Sequence, residues 1–242
     1  MNMNGTIKRT LILFQIFLIG FIINLPAQTV KEIESHIVSL PNGWKLTPVG
    51  KSLPLGDLPL NIAISPSKKL AAITNNGESD QTIQLVDIER EIVLYSIIIR
   101  KAWLGLTFSD DGNFLYASGG NDNRIIRYAI RNNHLSLSDS IIIGDPWPVR
   151  ISVAGIALDD AKNRLYAVTK ENNSLYITDT QSKKVISEYS LGGEGYTCLL
   201  SPDHKLLYIS CWGCDKIVVF DTEKQKIIGS ILVGDNPIFY WL

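Results

Sequence analysis

Ser109-Asp-Asp-Gly-Asn-Phe-Leu-Tyr-Ala-Ser118 decides the fold, because the chain repeats its pattern four times. The other copies are Ser65-Pro-Ser-Lys-Lys-Leu-Ala-Ala-Ile-Thr74, Asp159-Asp-Ala-Lys-Asn-Arg-Leu-Tyr-Ala-Val168 and Ser201-Pro-Asp-His-Lys-Leu-Leu-Tyr-Ile-Ser210, aligned without gaps. Equivalent positions Ala72, Tyr116, Tyr166 and Tyr208 are 44, 50 and 42 residues apart. A second anchor, Asp87, Ala129, Asp179 and Asp221, steps by 42, 50 and 42. Two anchors moving in step mark stacked supersecondary units, and a period in this range excludes an ordinary sandwich.

Working outward from the anchor identifies the unit. In the first copy, Asn61-Ile-Ala-Ile-Ser65 runs into a Ser/Pro/Lys turn and Leu70-Ala-Ala-Ile-Thr74 follows. The polar loop Asn75–Asp80 leads to alternating Thr82-Ile-Gln-Leu-Val86, an acidic turn and Ile92–Ile99. These are four short, β-branched runs bounded by turn residues, with no helical period. The third runs of the later copies are Arg124–Tyr128, Ser174–Thr178 and Lys216–Phe220. Four strands per repeat of this length predict an all-β chain, a β-propeller of four-stranded antiparallel blades. The blades fall at 57–101, 102–150, 151–194 and 195–236.

The second-strand tetrads Ala72-Ile-Thr-Asn75, Tyr116-Ala-Ser-Gly119, Tyr166-Ala-Val-Thr169 and Tyr208-Ile-Ser-Cys211 resemble the YVTN-type propeller repeat. So do the Ser-Pro-Asp turn before them and the Val-Gly-Asp-Asn-Pro237 junction. Gly43-Trp-Lys-Leu-Thr-Pro48, Leu55-Gly-Asp-Leu-Pro-Leu-Asn61, Gly119-Gly-Asn-Asp-Asn-Arg124 and Gly195-Tyr-Thr-Cys198 further resemble exported bacterial proteins in which a propeller precedes an alkaline-phosphatase-like phosphoesterase domain. The resemblance covers about 43–237 and implies closure with seven blades. It also implies that any phosphoesterase activity would lie in a domain outside this chain. Residues 43–56 read as a half blade (Trp44–Thr47 and Lys51–Leu55 as its last two strands), and 237–242 as the start of a next one. About four and a half blades of seven form an arc, expected of a fragment or truncated frame; a compact four- or five-bladed ring is the alternative.

Residues 1–28 stand apart. Lys8 and Arg9 precede the apolar run Leu11–Leu25, and Pro26-Ala27-Gln28 follows. A basic start, an apolar core and a small residue predict a secretory signal cleaved near Ala27. A spanning helix would need about 18 or more apolar residues, and Gln15 and Asn24 interrupt this run; an uncleaved anchor is the alternative. Removal leaves 21 basic against 24 acidic residues. An extension at 29–42 then precedes the repeats. Together with the resemblance, the signal implies export to the periplasm or exterior of a Gram-negative bacterium, with no stable membrane span after cleavage.

Composition narrows the chemistry. Lys plus Arg is 23 against 24 for Asp plus Glu, with neither sign clustered, so no basic stripe suited to nucleic acid exists. His36, His134 and His204 fall in separate parts of the repeat and read as solvated loop residues rather than metal ligands. No Gly-x-Ser-x-Gly elbow occurs. The glycines at 119–120 and 192–195 follow strands with no ensuing helix and read as turns, not phosphate cradles. Thus no catalytic residue, metal or cofactor is assigned. Cys211-Trp-Gly-Cys214 caps a strand rather than a helix. Free buried thiols are one reading, with Cys198 as a third partner, and a local disulfide between Cys211 and Cys214 is the other in an oxidising compartment.

Blade topology puts the junctions and the second-to-third loops on one face. Asp57, Trp103, Trp147, Arg150 and Tyr196 come from junctions; Asn75, Asn76, Asp80, Asn121, Asp122, Asn123, Glu171, Asn172 and Trp212 come from the loops. Aromatic rings beside carboxamides and carboxylates suit stacking and hydrogen bonding of a polar small molecule or a protein segment. The alternative is that these are ordinary hairpin residues and junction fillers. Two function classes follow: a non-catalytic module binding a ligand or docking a partner such as the phosphoesterase domain, and a lactonase-like hydrolase using Arg150 at the channel mouth. A truncated product without activity is the third.

Overall fold

The computed structural model describes residues 37–46 and 52–234. The signal-like run 1–28, His36, most of the extension and the start of a further blade lie outside the described residues. Two compact units are present, divided at Ser52. In the first, β1 (Val38–Ser39) pairs antiparallel with β2 (Lys45–Leu46).

The second unit carries sixteen strands in four antiparallel sheets. Blade 1 is β3 (Pro59–Ile64), β4 (Leu70–Asn75), β5 (Thr82–Asp87) and β6 (Ile92–Ile98). Blade 2 is β7 (Leu106–Phe108), β8 (Phe114–Ser118), β9 (Arg124–Arg131) and β10 (His134–Ile142). Blade 3 is β11 (Val153–Asp159), β12 (Arg164–Thr169), β13 (Ser174–Asp179) and β14 (Lys184–Ser190). Blade 4 is β15 (Glu194–Leu200), β16 (Leu206–Trp212), β17 (Lys216–Asp221) and β18 (Lys226–Leu232). Each sheet follows chain order. The chain folds as a β-propeller of four blades.

Local chemistry explains the repeated turn. Ser109 Oγ accepts from the Phe114 N–H at 2.9 Å and donates to Asp111 at 2.6 Å. Ser201 repeats this with Leu206 and Asp203, and Ser65 caps Leu70. These bonds hold the Asp111 and Asp203 carboxyls below the usual carboxylate range, chiefly through the serine hydroxyl. In blade 3 a buried Asp159 replaces the serine and caps a single 3-10 turn. The second anchor closes the outer hairpin: Asp87, Asp179 and Asp221 accept from backbone N–H groups two or three residues on. Ala129 cannot cap, and blade 2 turns instead on Asn132-Asn133, both at positive φ, the pairing favoured in tight hairpins.

The core lies between blades. One cluster joins blades 1 and 2 through Leu85, Leu106 and Leu115. Another joins 2 and 3 through Tyr116, Ile125 and Ile156, and a third joins 3 and 4 through Tyr166, Leu175, Ile209 and Phe220. Among the described residues no cluster joins blade 4 back to blade 1. On the outer face of blade 1, Ala71, Ile73 and Val86 are covered by Leu53 and Leu55.

Of the stretch read as a half blade, residues 47–51 lie outside the described residues. A turn at Asn42-Gly43, with Gly43 at φ 80 and the Asn42 side chain accepting from Trp44 N–H at 3.0 Å, folds β2 back onto β1. Residues 52–55 form no strand. The alternating leucines bury against a blade face instead of pairing, which the same pattern permits.

Arg127 and Lys183 meet on Asp139 and tie blade 2 to blade 3, the Lys183 contact at 2.9 Å. Partial burial pushes the Asp139 carboxyl up, but the hydrogen bonds from Arg127 and Lys183 outweigh it and hold the group below its ordinary value. A lowered native pKa stabilises the fold above the unfolded value and loses that contribution as pH falls through the native one. Asp139→Asn should therefore cost about 1–2 kcal/mol at pH 7 and progressively less as pH falls through the lowered native value, read by urea unfolding over a series of acid pH values.

Candidate functional site

Three junctions and loops bring aromatic rings together on one face. Trp103 enters from the link between blades 1 and 2, and its backbone is clamped from three sides. Asn76 Nδ2 donates to the Ala102 carbonyl at 2.7 Å, Asn61 Nδ2 to the Leu104 carbonyl at 2.5 Å, and Trp103 N–H to Ser118 Oγ at 3.2 Å. Tyr196 comes from the start of blade 4, at the register shift between Gly195 and Thr197 that detaches it from the ladder. Trp212 ends β16 and stacks on Tyr196, with centroids 3.8 Å apart and planes 11° apart. Trp103 meets Tyr196 edge-on at 6.2 Å.

Glycine sets this spacing. A Cβ on Gly155 would lie 2.5 Å from Thr197 Cα and 2.8 Å from the Tyr196 carbonyl oxygen, so inner strands β11 and β15 approach only because it is absent. Gly105 plays the same part toward Ala154.

Lys170 adds charge. Its ammonium lies 4.9 Å from the centre of the Trp103 ring, a cation–π distance. Backbone bonds from Lys170 and Glu171 to Ser152 and Ile151 fix the loop that carries it. Tyr196 is buried, while Trp103, Trp212 and Lys170 are half-exposed. Trp212 Nε1 is buried without a hydrogen-bond acceptor. The sequence reading missed Lys170, although it lies beside Glu171.

The other residues expected on this face divide. Asn75 is buried and donates to Thr82 and Gln84, and Asp57 accepts from the Glu78 and Ser79 N–H groups. Asn121 accepts from Ser152 at 2.7 Å, and Asp122 pairs with Lys101 and Arg124. Asn172 is engaged by Thr169, Tyr176 and Glu188. Asn123, fully buried, donates to the Asp145 and Val149 carbonyls and pins the long junction at 144–152. On that junction Trp147 is 57% exposed, with the Arg150 guanidinium 5.1 Å above its ring. Among the described residues no ring contact joins Trp147 to the trio. Glu171 is exposed. Most of the carboxamides and carboxylates thus hold turns, and Trp103, Trp212 and Lys170 remain half-exposed around the buried Tyr196.

The cysteines resolve as free thiols. The Cys211–Cys214 disulfide is not formed: Cys214 Sγ donates to the Cys211 carbonyl at 3.6 Å, while Cys211 points into the core between blades 3 and 4. Burial pushes the Cys198 thiol far up, and burial followed by Cys214 raises Cys211 to about 12. Neither offers a thiolate at neutral pH.

His134 Nδ1 lies 2.8 Å from the Asn132 carbonyl, and His204 lies 3.2 Å from Asp159. Among the described residues no group of His, Cys, Asp or Glu is arranged to hold a metal ion. A cleft of about 600 Å3 opens on the opposite face, lined by Ser109, Asp110, Tyr116, Arg127, Asp160 and Lys183 among others. There burial raises the Asp160 carboxyl despite the Asp110 N–H it accepts.

No family model matches the chain, and no curated protein matches its sequence. Among solved structures, hydrazine synthase from Kuenenia stuttgartiensis is similar at a TM-score of 0.63 and 17% identity, over 76% of this chain and 52% of that one. The chain thus spans about half the length of that structure, and the likeness is one of propeller fold.

Proposed function

We propose that this chain is an exported, non-catalytic propeller module of the YVTN type that binds a polar ligand on the Trp103–Tyr196–Trp212 face. One observation carries the reading: two stacked rings of blade 4 and a third from the link between blades 1 and 2 converge beside an ammonium group. Rigid aromatic surface costs little entropy to present and suits a ligand with a flat apolar side. Lys170 supplies a cationic donor, which favours an acceptor-rich, anionic ligand such as a sugar acid. A loop of a partner domain bearing a carboxylate offers the same chemistry.

Glucuronate, with glucose as neutral control, serves as probe in a tryptophan-fluorescence titration of the chain lacking residues 1–28. Saturable binding of glucuronate is expected, weakened about fivefold by Trp103→Ala or Trp212→Ala, since a ring stack contributes about 1 kcal/mol. Lys170→Ala should weaken glucuronate and leave glucose unchanged. Binding indifferent to all three substitutions, or none at all, overturns the assignment. Turnover of gluconolactone by the purified chain would move it to the lactonase-like class.

A further inference from the structure

The cleft between blades 2 and 3, on the face away from the aromatic trio, carries opposite charges in two places. Register places Tyr116, Arg127 and Asp139 in one row across β8, β9 and β10. Arg127 and Lys183 both line the cleft and share the Asp139 carboxylate. Two cations on one carboxylate leave a net positive charge. An arginine carries five N–H donors and a lysine three, so a carboxylate with about four lone-pair sites leaves donors over.

The first turns of the two blades supply the other charge. Asp160 accepts from the Asp110 N–H at 2.6 Å, and both residues line the cleft. Among the described residues no ammonium or guanidinium group pairs with either carboxylate. Asp160 is half-buried, and that burial, joined by the charges of Asp110, Asp111 and Asp159, raises its carboxyl against the pull of the Asp110 N–H. Like charges held together without a cation disfavour one another, and a bound ammonium group relieves them.

Two buried side chains complete the cleft. Tyr116 is 3% exposed, and its hydroxyl bonds with Arg127 while lying in the field of Asp160. Thr180 is 6% exposed and lines the cleft, yet among the described residues its hydroxyl has no hydrogen-bond partner. Buried polar groups are normally bonded, and in a cleft of about 600 Å3 a ligand can supply the missing bond.

We infer that this cleft binds a free amino acid as its zwitterion, with the ammonium group at Asp160 and Asp110, the carboxylate at Lys183 and Arg127, and a polar side chain toward Thr180. Charge-assisted hydrogen bonds to both groups make the site demand both charges. It shares no residue with the aromatic trio and is independent of ligand binding there.

The test is a calorimetric titration of the purified chain with L-glutamine. Glutaramate, which lacks the ammonium group, and 4-aminobutanamide, which lacks the carboxylate, are the matched controls. L-Glutamine should bind at one saturable site, at least about tenfold more tightly than either control. Asp160→Asn keeps an oxygen for the Asp110 N–H, and Lys183→Met keeps the apolar stem. Each should weaken L-glutamine about tenfold, and Trp103→Ala should leave it unchanged. Absence of L-glutamine binding overturns the inference, as does binding indifferent to both cleft substitutions. A control that binds equally well also overturns it, since the site would then read one charge only. So does a loss in Trp103→Ala, which would move the amino acid to the aromatic face. If a cleft variant does not fold, the three-ligand comparison on the unmodified chain decides.

Discussion

Gly155→Ala is expected to destabilise the propeller by about 3 kcal/mol and to disturb the aromatic face at the same time. The added methyl would sit 2.5 Å from Thr197 Cα, 2.8 Å from the Tyr196 carbonyl and 3.1 Å from Cys198 N, all backbone atoms of β15. A flexible side chain could swing away from such a contact, but a strand paired along β16 cannot. Blade 4 must move off blade 3, and Tyr196 moves with it. Gly229→Ala is the matched control, since its Cβ would meet nothing within 4 Å and its φ is not positive. That change should be neutral or stabilise by up to about 0.5 kcal/mol, by reducing freedom in the unfolded chain. Urea unfolding gives the stabilities. The near-ultraviolet dichroism of the Tyr196–Trp212 stack should weaken in the first variant alone. Equal stability of the two variants would mean that blades 3 and 4 do not pack through their inner strands.

The blades were legible in the sequence because their turns are local chemistry. A serine that caps the residue five positions on, and an aspartate that caps its own hairpin, need nothing from the rest of the fold. They recur wherever the turn recurs, so the period survives even where strand residues drift. Residues 53–55 are less legible for the converse reason. Alternating leucines at 53 and 55 satisfy a strand or a cover equally well, and the choice is made by a distant apolar face on blade 1.

The candidate site was legible only in part. Topology alone assigns Trp103, Tyr196 and Trp212 to one face, and there the three rings meet. The asparagines looked the same from sequence, yet Asn75, Asn123 and Asn172 spend their amides on the loops and strands that carry them. Whether an amide turns inward depends on the carbonyls its own loop leaves unpaired, which composition does not encode. Lys170 shows the opposite failure: no pattern marks it, and only the fold brings its ammonium over a ring from another blade.

Tyr166→Ala should be the costliest substitution in the array, about 3–5 kcal/mol by the measure of buried aromatic truncations. The ring is 2% exposed in the cluster that holds blade 4 to blade 3, and burial, then Asp159, pushes its hydroxyl up to about 12. Truncation opens a cavity in the buried cluster through which the two sheets meet. Each blade in such an array leans on its neighbours, so the damage stays at one interface. Blade 4, with no core cluster joining it to blade 1 among the described residues, should therefore open first. Amide exchange in β15 to β18 is expected to quicken at least a hundredfold at low denaturant, while β4 and β5 in blade 1 remain near their original rates. Tyr166→Phe keeps the ring and should cost about 1 kcal/mol, which separates packing from the hydroxyl. Uniform acceleration across all four blades would show one cooperative unit and contradict the nearest-neighbour account of how this propeller is held together.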